Sequence, residues 1–231
     1  MAKFMPGPTI GMISGSIGST TFARNRYGVY IRTRSKPTQP NTSYQLNIRS
    51  HLSNISQQWA SLDDSERLAW ASWATTNPRT DRLGQSQVLQ GNAAYIAVNH
   101  RLAQIGATLL DLPPLDAPPS PLSTLSFTSA IGTTGVKIVF TPTPTGASVG
   151  LMIWAAVSSS AGQNYTANLL KLINITAGAY ASETEITSLI EARFGDLQVG
   201  QILTLQVATM DRTTGLCSQP LVYRAALEAG T

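Results

Sequence analysis

At 231 residues, with 42% hydrophobic and 12% charged residues, the chain has room for one large or two modest domains and holds roughly half the usual share of charge. Its lone Cys217 excludes an internal disulfide framework or a multi-cysteine metal site, and no apolar run approaches the roughly 18 residues of a membrane span. The net charge of +4 is uneven: residues 1–40 hold six Lys/Arg and no acid, 41–112 balance, and 113–231 carry seven acids against five bases. So little charge on so long a chain points either to surface covered in an assembly or to a Ser/Thr-rich β-protein that solvates itself with hydroxyls and amides. The opening "MAKFMPGPTIGMISG" is interrupted by Pro and Gly and makes a poor signal peptide, so synthesis in a cytoplasm is expected.

Residues 1–40 read as a basic extended arm. Its centre, "TTFARNRYGVYIRTR", is rich in β-formers, with Gly28 suited to a turn or bulge. Phe22, Tyr30 and Ile31 are expected on one side, and Arg24, Arg26, Arg32 and Arg34 on the other. Lys36 adds a further charge, and "KPTQPN" ends any strand, because Pro cannot donate to a ladder and restricts the residue before it.

Residues 41–108 read as a small helical domain. Thr42 or Ser43 caps a helix with apolar residues at Tyr44, Ile48, Leu52, Ile55 and Trp59. Asp63 and Glu66 open a second helix, "DSERLAWASWA", in a capping-box pattern. A third spans about Val88 to Ile105, with a stripe including Leu89, Ala93, Ile96, His100 or Val98, and Leu102, and with Gly106 at its C-cap. Trp59, Trp70 and Trp73 fall on inward stripes and are read as core rather than as a base-stacking platform.

"LLDLPPLDAPPSPL", residues 109–122, has five prolines and reads as a semi-rigid linker. Residues 123–231 then read as a β-sandwich domain. "GVKIVFTPTP", "VGLMIWAAVS", "QILTLQVATMD" and "PLVYRAAL" are strand candidates, and "DRTTGLCSQP" is a hairpin between the last two. "ASETEITSLIEARFG" fits either a helical turn or a strand and loop. The fold class is therefore α+β in two domains: arm with helical domain, then sandwich.

Two resemblances attach to these segments. "LPPLDAPPSPLSTLSF", "GVKIVFTP", "LQVGQILTLQVATMD" and "TTGLCSQPLVYRAAL" resemble fibronectin type III and related immunoglobulin-like modules. The N-terminal half is similar to small proteins encoded among the structural genes of tailed phages and prophages. That likeness rests on "GSIGSTTFARNRYGVYIRTRSKPTQPNT", Gln45 with Arg49, Trp59 with Leu62, "ERLAW" at 66–70 and "LQGNAAYIAVN" at 89–99. It implies a virion or virion-assembly component, and it transfers no catalytic residues.

An enzyme is not expected. "GSIGS" at 15–19 lacks the lysine and the helix of a phosphate loop, Asp63, Asp64 and Glu66 suit a helix start, and His51 and His100 stand singly on their helices. No cofactor or metal is expected. The arm residues Phe22, Arg24, Arg26, Tyr30, Arg32, Arg34 and Lys36 are the candidate interaction set. They suit main-chain addition to a neighbour's sheet edge, with arginine forks on carboxylates. The expected partner is a major capsid or other virion protein, with the chain itself oligomeric or held in a lattice. A minor capsid or decoration protein is favoured, with a tail or head-to-tail connector component as the alternative. Phosphate neutralisation by the basic arm is a second class, with nucleic acid as a secondary partner. The expected location is the virion, with no membrane contact.

Overall fold

The computed structural model describes residues 2–3, 13–25, 28–35, 39, 41–80, 85–143, 145–163 and 165–230. Arg26 and Lys36 lie outside them. The chain divides into two compact units, residues 1–46 and 47–231, each described by itself.

The first unit is an antiparallel sheet of β1 (Ala2–Lys3), β2 (Gly15–Ile17), β3 (Thr20–Asn25) and β4 (Gly28–Thr33), in the order β1-β4-β3-β2. Gly28, at φ 112°, closes the β3–β4 hairpin opposite Asn25, a backbone position that L side chains rarely adopt. Arg34 donates its N–H to Ser19 O at 2.8 Å, extending the ladder past the end of β4.

The second unit holds the remaining elements. Helix α1 (Ser43–Ser61) starts just before the boundary, with the Gln45 N–H donating to Thr42 Oγ1 at 3.4 Å. Helix α2 (Asp64–Thr76) opens with the expected capping box, in which Asp63 accepts from the third helical N–H and Glu66 Oε2 accepts from Asp63 N at 2.8 Å. A two-strand ribbon, β5 (Arg79–Thr80) and β6 (Ser86–Gln87), leads to α3 (Gly91–Gln104). Gly91 is needed for packing, because a Cβ there would lie 2.9 Å from Ala71 N on α2. Gly106, at φ 68°, ends α3 as expected, its N–H donating to Ala103 O.

Two antiparallel sheets follow. One has the order β11-β8-β7, from β7 (Thr124–Ala130), β8 (Gly135–Thr141) and β11 (Thr184–Glu185). The other is β10-β9-β12-β13, from β9 (Val149–Ser158), β10 (Lys171–Ile175), β12 (Ile202–Asp211) and β13 (Leu221–Ala226). The acidic segment left open between helix and strand contains both: β11 and then α4 (Thr187–Phe194). Mixed helix and antiparallel sheet make the fold class α+β.

One core draws Leu125, Phe127, Val136, Ile138 and Phe140 from the first sheet and Leu151, Ile153, Leu203, Leu205 and Val207 from the second, with Ile186 and Ile190 around α4. β8 shows period-two alternation, with Val136, Ile138 and Phe140 buried and the residues between half-buried. β9 and β12 are buried almost throughout because both their faces are covered. Their second faces give Met152 and Met210, which pack with Leu102 of α3. A separate aromatic core joins the helices: Tyr95 lies 5.2 Å from Trp59 and 5.3 Å from Trp70, and Trp73 lies 5.7 Å from Trp70, between ring centres. All three tryptophans belong to this core; Trp70 is fully buried, while Trp59 and Trp73 are half-buried.

Residues 109–122 therefore join the helical and β regions without dividing the contacts there. Trp70 Nε1 donates to Asp111 O at 2.7 Å, Asn99 Nδ2 donates to Leu110 O at 3.1 Å, and Asn99 Oδ1 accepts from Leu110 N at 2.7 Å. At the far end Thr209 Oγ1 of β12 donates to Ser120 O at 2.8 Å. Leu216, from the β12–β13 hairpin, sits in the helical core. The boundary expected at the prolines is found instead at residues 46/47, because helices and sheet bury shared apolar surface.

Candidate interaction surface

The arm sheet carries the candidates Phe22, Arg24, Tyr30 and Arg32, and its register fixes their faces. Phe22 pairs with Ile31, Arg24 with Val29, Ala23 with Tyr30, and Thr21 with Arg32. Side chains directly opposite share a face, and successive residues alternate. One face therefore holds Ile17, Phe22, Arg24, Val29 and Ile31, and the other holds Thr21, Ala23, Tyr30 and Arg32. The expected separation of aromatics from arginines is corrected. Tyr30 and Ile31 are neighbours in one strand and must point oppositely, so Arg24 shares a face with Ile31, and Arg32 shares one with Tyr30.

None of residues 13–24 and 28–35 is buried. Phe22, Val29, Tyr30 and Ile31 are half-buried, Arg24, Arg32 and Arg34 are exposed, and Ile17 is 70% exposed. Ser16 and Thr21 share a 2.8 Å hydroxyl hydrogen bond across β2 and β3. The first carboxylate in the sequence is Asp63, so these arginines have no acidic side chain within their own unit. Among the described residues β2 is an edge strand with one side of its backbone outside the ladder, the position from which strands add to another sheet.

Elsewhere the structure joins residues that spacing could not pair. His51 on α1 and His100 on α3 have ring centres 6.3 Å apart. Burial, followed by His51 and Arg101, lowers the His100 pKa below its ordinary value. His100 Nε2 lies 3.0 Å from Gln104 Nε2, while Nδ1 of both imidazoles is buried without a hydrogen-bond partner among the described residues. Burial pushes the Cys217 thiol up, against the pull of Arg101 and Arg79, and its Sγ lies 3.5 Å from Met152 Sδ. That setting favours the thiol over the nucleophilic thiolate. The described residues contain no group of three or more His, Cys, Asp or Glu placed to hold a metal ion, and none of their helices is long and apolar enough to cross a membrane.

Asn99 and Tyr95 entered the sequence reading only within the stretch "LQGNAAYIAVN", with no role of their own, yet both are fully buried. A polar residue preceding a histidine gave no sign that its amide would tie down the following segment. No protein-family model, curated protein or solved structure matches the chain.

Proposed function

We propose that this chain is a non-enzymatic structural protein of a phage particle, a minor capsid or decoration protein that clasps a neighbouring subunit through its arm sheet. The observation that carries the reading is the sheet itself. It pairs its strands, buries none of residues 13–24 and 28–35, and displays arginines with no carboxylate in its own unit. A small sheet with no fully buried side chain among these residues is marginal by itself, and docking against a partner supplies further burial. An acidic neighbour with an apolar stripe complements either face, and the β2 edge adds main-chain pairing. A tail or head-to-tail connector position would use the same clasp.

The two-sheet body supports the fibronectin-like part of the reading. Counting from β7, the third, fourth, sixth and seventh strands form one sheet and the first, second and fifth the other, the division found in fibronectin-type sandwiches. Tyr30 and Arg32 on a common face favour a second reading, in which the arm stacks on bases and neutralises phosphates of packaged nucleic acid. Mass spectrometry of purified particles tests the structural role. The chain is expected in a fixed ratio to the major capsid protein, and its absence from intact particles refutes the proposal.

A further inference from the structure

We propose that residues 111–116 form the seat for the arm sheet of a second copy of this chain, an inference that rests on reading the arm as a clasp. The segment is held at both ends, by Trp70 and Asn99 on the helices and by Thr209 on β12. Pro114 is buried in the middle. Between these anchors Leu112 is 58% exposed and Leu115 is 97% exposed. Two ordered, solvent-facing leucines form a docking element that needs little further ordering on contact.

Charge identifies the occupant. Asp111 and Asp116, both exposed, flank the two leucines, with no basic residue between 102 and 136. Neither carboxylate is paired with a cation among the described residues. Among the described residues, two other exposed acids lie near an exposed apolar side chain, and each has a basic residue close by in sequence. Asp64 near Leu68 is already paired with Arg67 at 3.3 Å, and Asp196 near Val199 follows Arg193 by three residues. The arm has the complementary pattern: Arg24 beside Ile17, Phe22, Val29 and Ile31 on one face, with Arg32 on the other. Leucines of the seat cover the apolar strip, and a seat carboxylate accepts the fork of the arginine on the docked face. An acidic seat repels nucleic acid, which separates this contact from phosphate binding. One such contact is small, so it is weak alone and gains strength by repetition in a lattice.

Sedimentation velocity of the full chain, across concentration and salt, tests the seat. The parent is expected to self-associate reversibly, and less so as salt rises. Asp111→Lys with Asp116→Lys, or Arg24→Glu with Arg32→Glu and Arg34→Glu, should each leave monomers. An equimolar mixture of the two variants should associate again, which docking within one chain cannot produce. Leu115→Ser, at a side chain that touches almost nothing, should weaken association about 10-fold with unchanged melting. A monomeric parent, a mixture that stays monomeric, or a Leu115→Ser variant that associates like the parent overturns the proposal. Particle incorporation separates the seat from the clasp. Exclusion of a chain lacking 1–36, with parent-like incorporation of the seat variants, refutes the seat alone. Normal incorporation of the truncated chain refutes the clasp.

Discussion

Single atoms distinguish groups that hold this fold from groups it merely tolerates. Trp70 Nε1 donates to Asp111 O, so Trp70→Phe leaves a carbonyl without its donor. The expected cost is about 1–3 kcal/mol, read as a lower midpoint in urea. Tyr95 is the control: its hydroxyl is buried with no partner among the described residues, and burial, then Asp111 and Glu66, raise its pKa. Tyr95→Phe removes that hydroxyl while keeping the ring against Trp59 and Trp70, and its midpoint is expected to match or exceed the parent's. In the arm the guanidinium shape matters more than the charge. Replacing Arg24, Arg26, Arg32 and Arg34 with Lys keeps the net charge but removes the planar fork. The variant is expected to occupy particles poorly across a salt series; parent-level occupancy at every salt concentration would leave only a diffuse electrostatic tether.

The α1–α3 contact is where the elements respond to pH. His100 has a folded pKa below its ordinary value, so on acidification the unfolded chain takes up the proton first. Stability is full above about pH 6.5 and falls as pH drops from there toward the folded value. The charges facing His100 are His51 and Arg101, both unfavourable to a second cation. Melting temperature is expected to drop between pH 7 and pH 5 in the parent and to change less in His100→Gln; equal slopes would show that other groups govern that range. The three longer helices and four strands of the second unit were legible in the sequence. The capping box, the Gly106 stop and the strands β8, β9, β12 and β13 announce themselves through caps and apolar runs. The α3 face was placed less well, because Ala94, Tyr95 and Val98 meet the aromatic core while Leu102 meets the sheet, and two buried sides leave no single stripe. β10, "KLINI", is short and half-buried and gave no alternation to read. In the arm the strand tendency was plain, but the faces depended on the hairpin register.

Across the whole molecule, the proline segment looked like a divider because composition reports local stiffness and says nothing about contacts that cross it. Met152, Trp154, Met210 and Leu216 all pack with the helical region. A fragment starting at Asp116 would expose them, so it is expected to bind an apolar dye and lack a cooperative melt, whereas residues 47–231 should melt cooperatively. A sharp transition in the shorter fragment would mean that the sheets stand without the helices.

The anchors on both flanks of Leu115 bear on chain connectivity. Trp70 and Asn99 hold one side and Thr209 holds the other, so the peptide bond between Leu115 and Asp116 adds little to what already keeps the two parts together. Residues 1–115 and 116–231, made as separate polypeptides, should therefore find each other and rebuild the native core as a non-covalent pair. Co-expression with a tag on one piece reads this directly: the partner is expected to co-purify in a 1:1 ratio, and recovery of the tagged piece alone would show that covalent continuity is required.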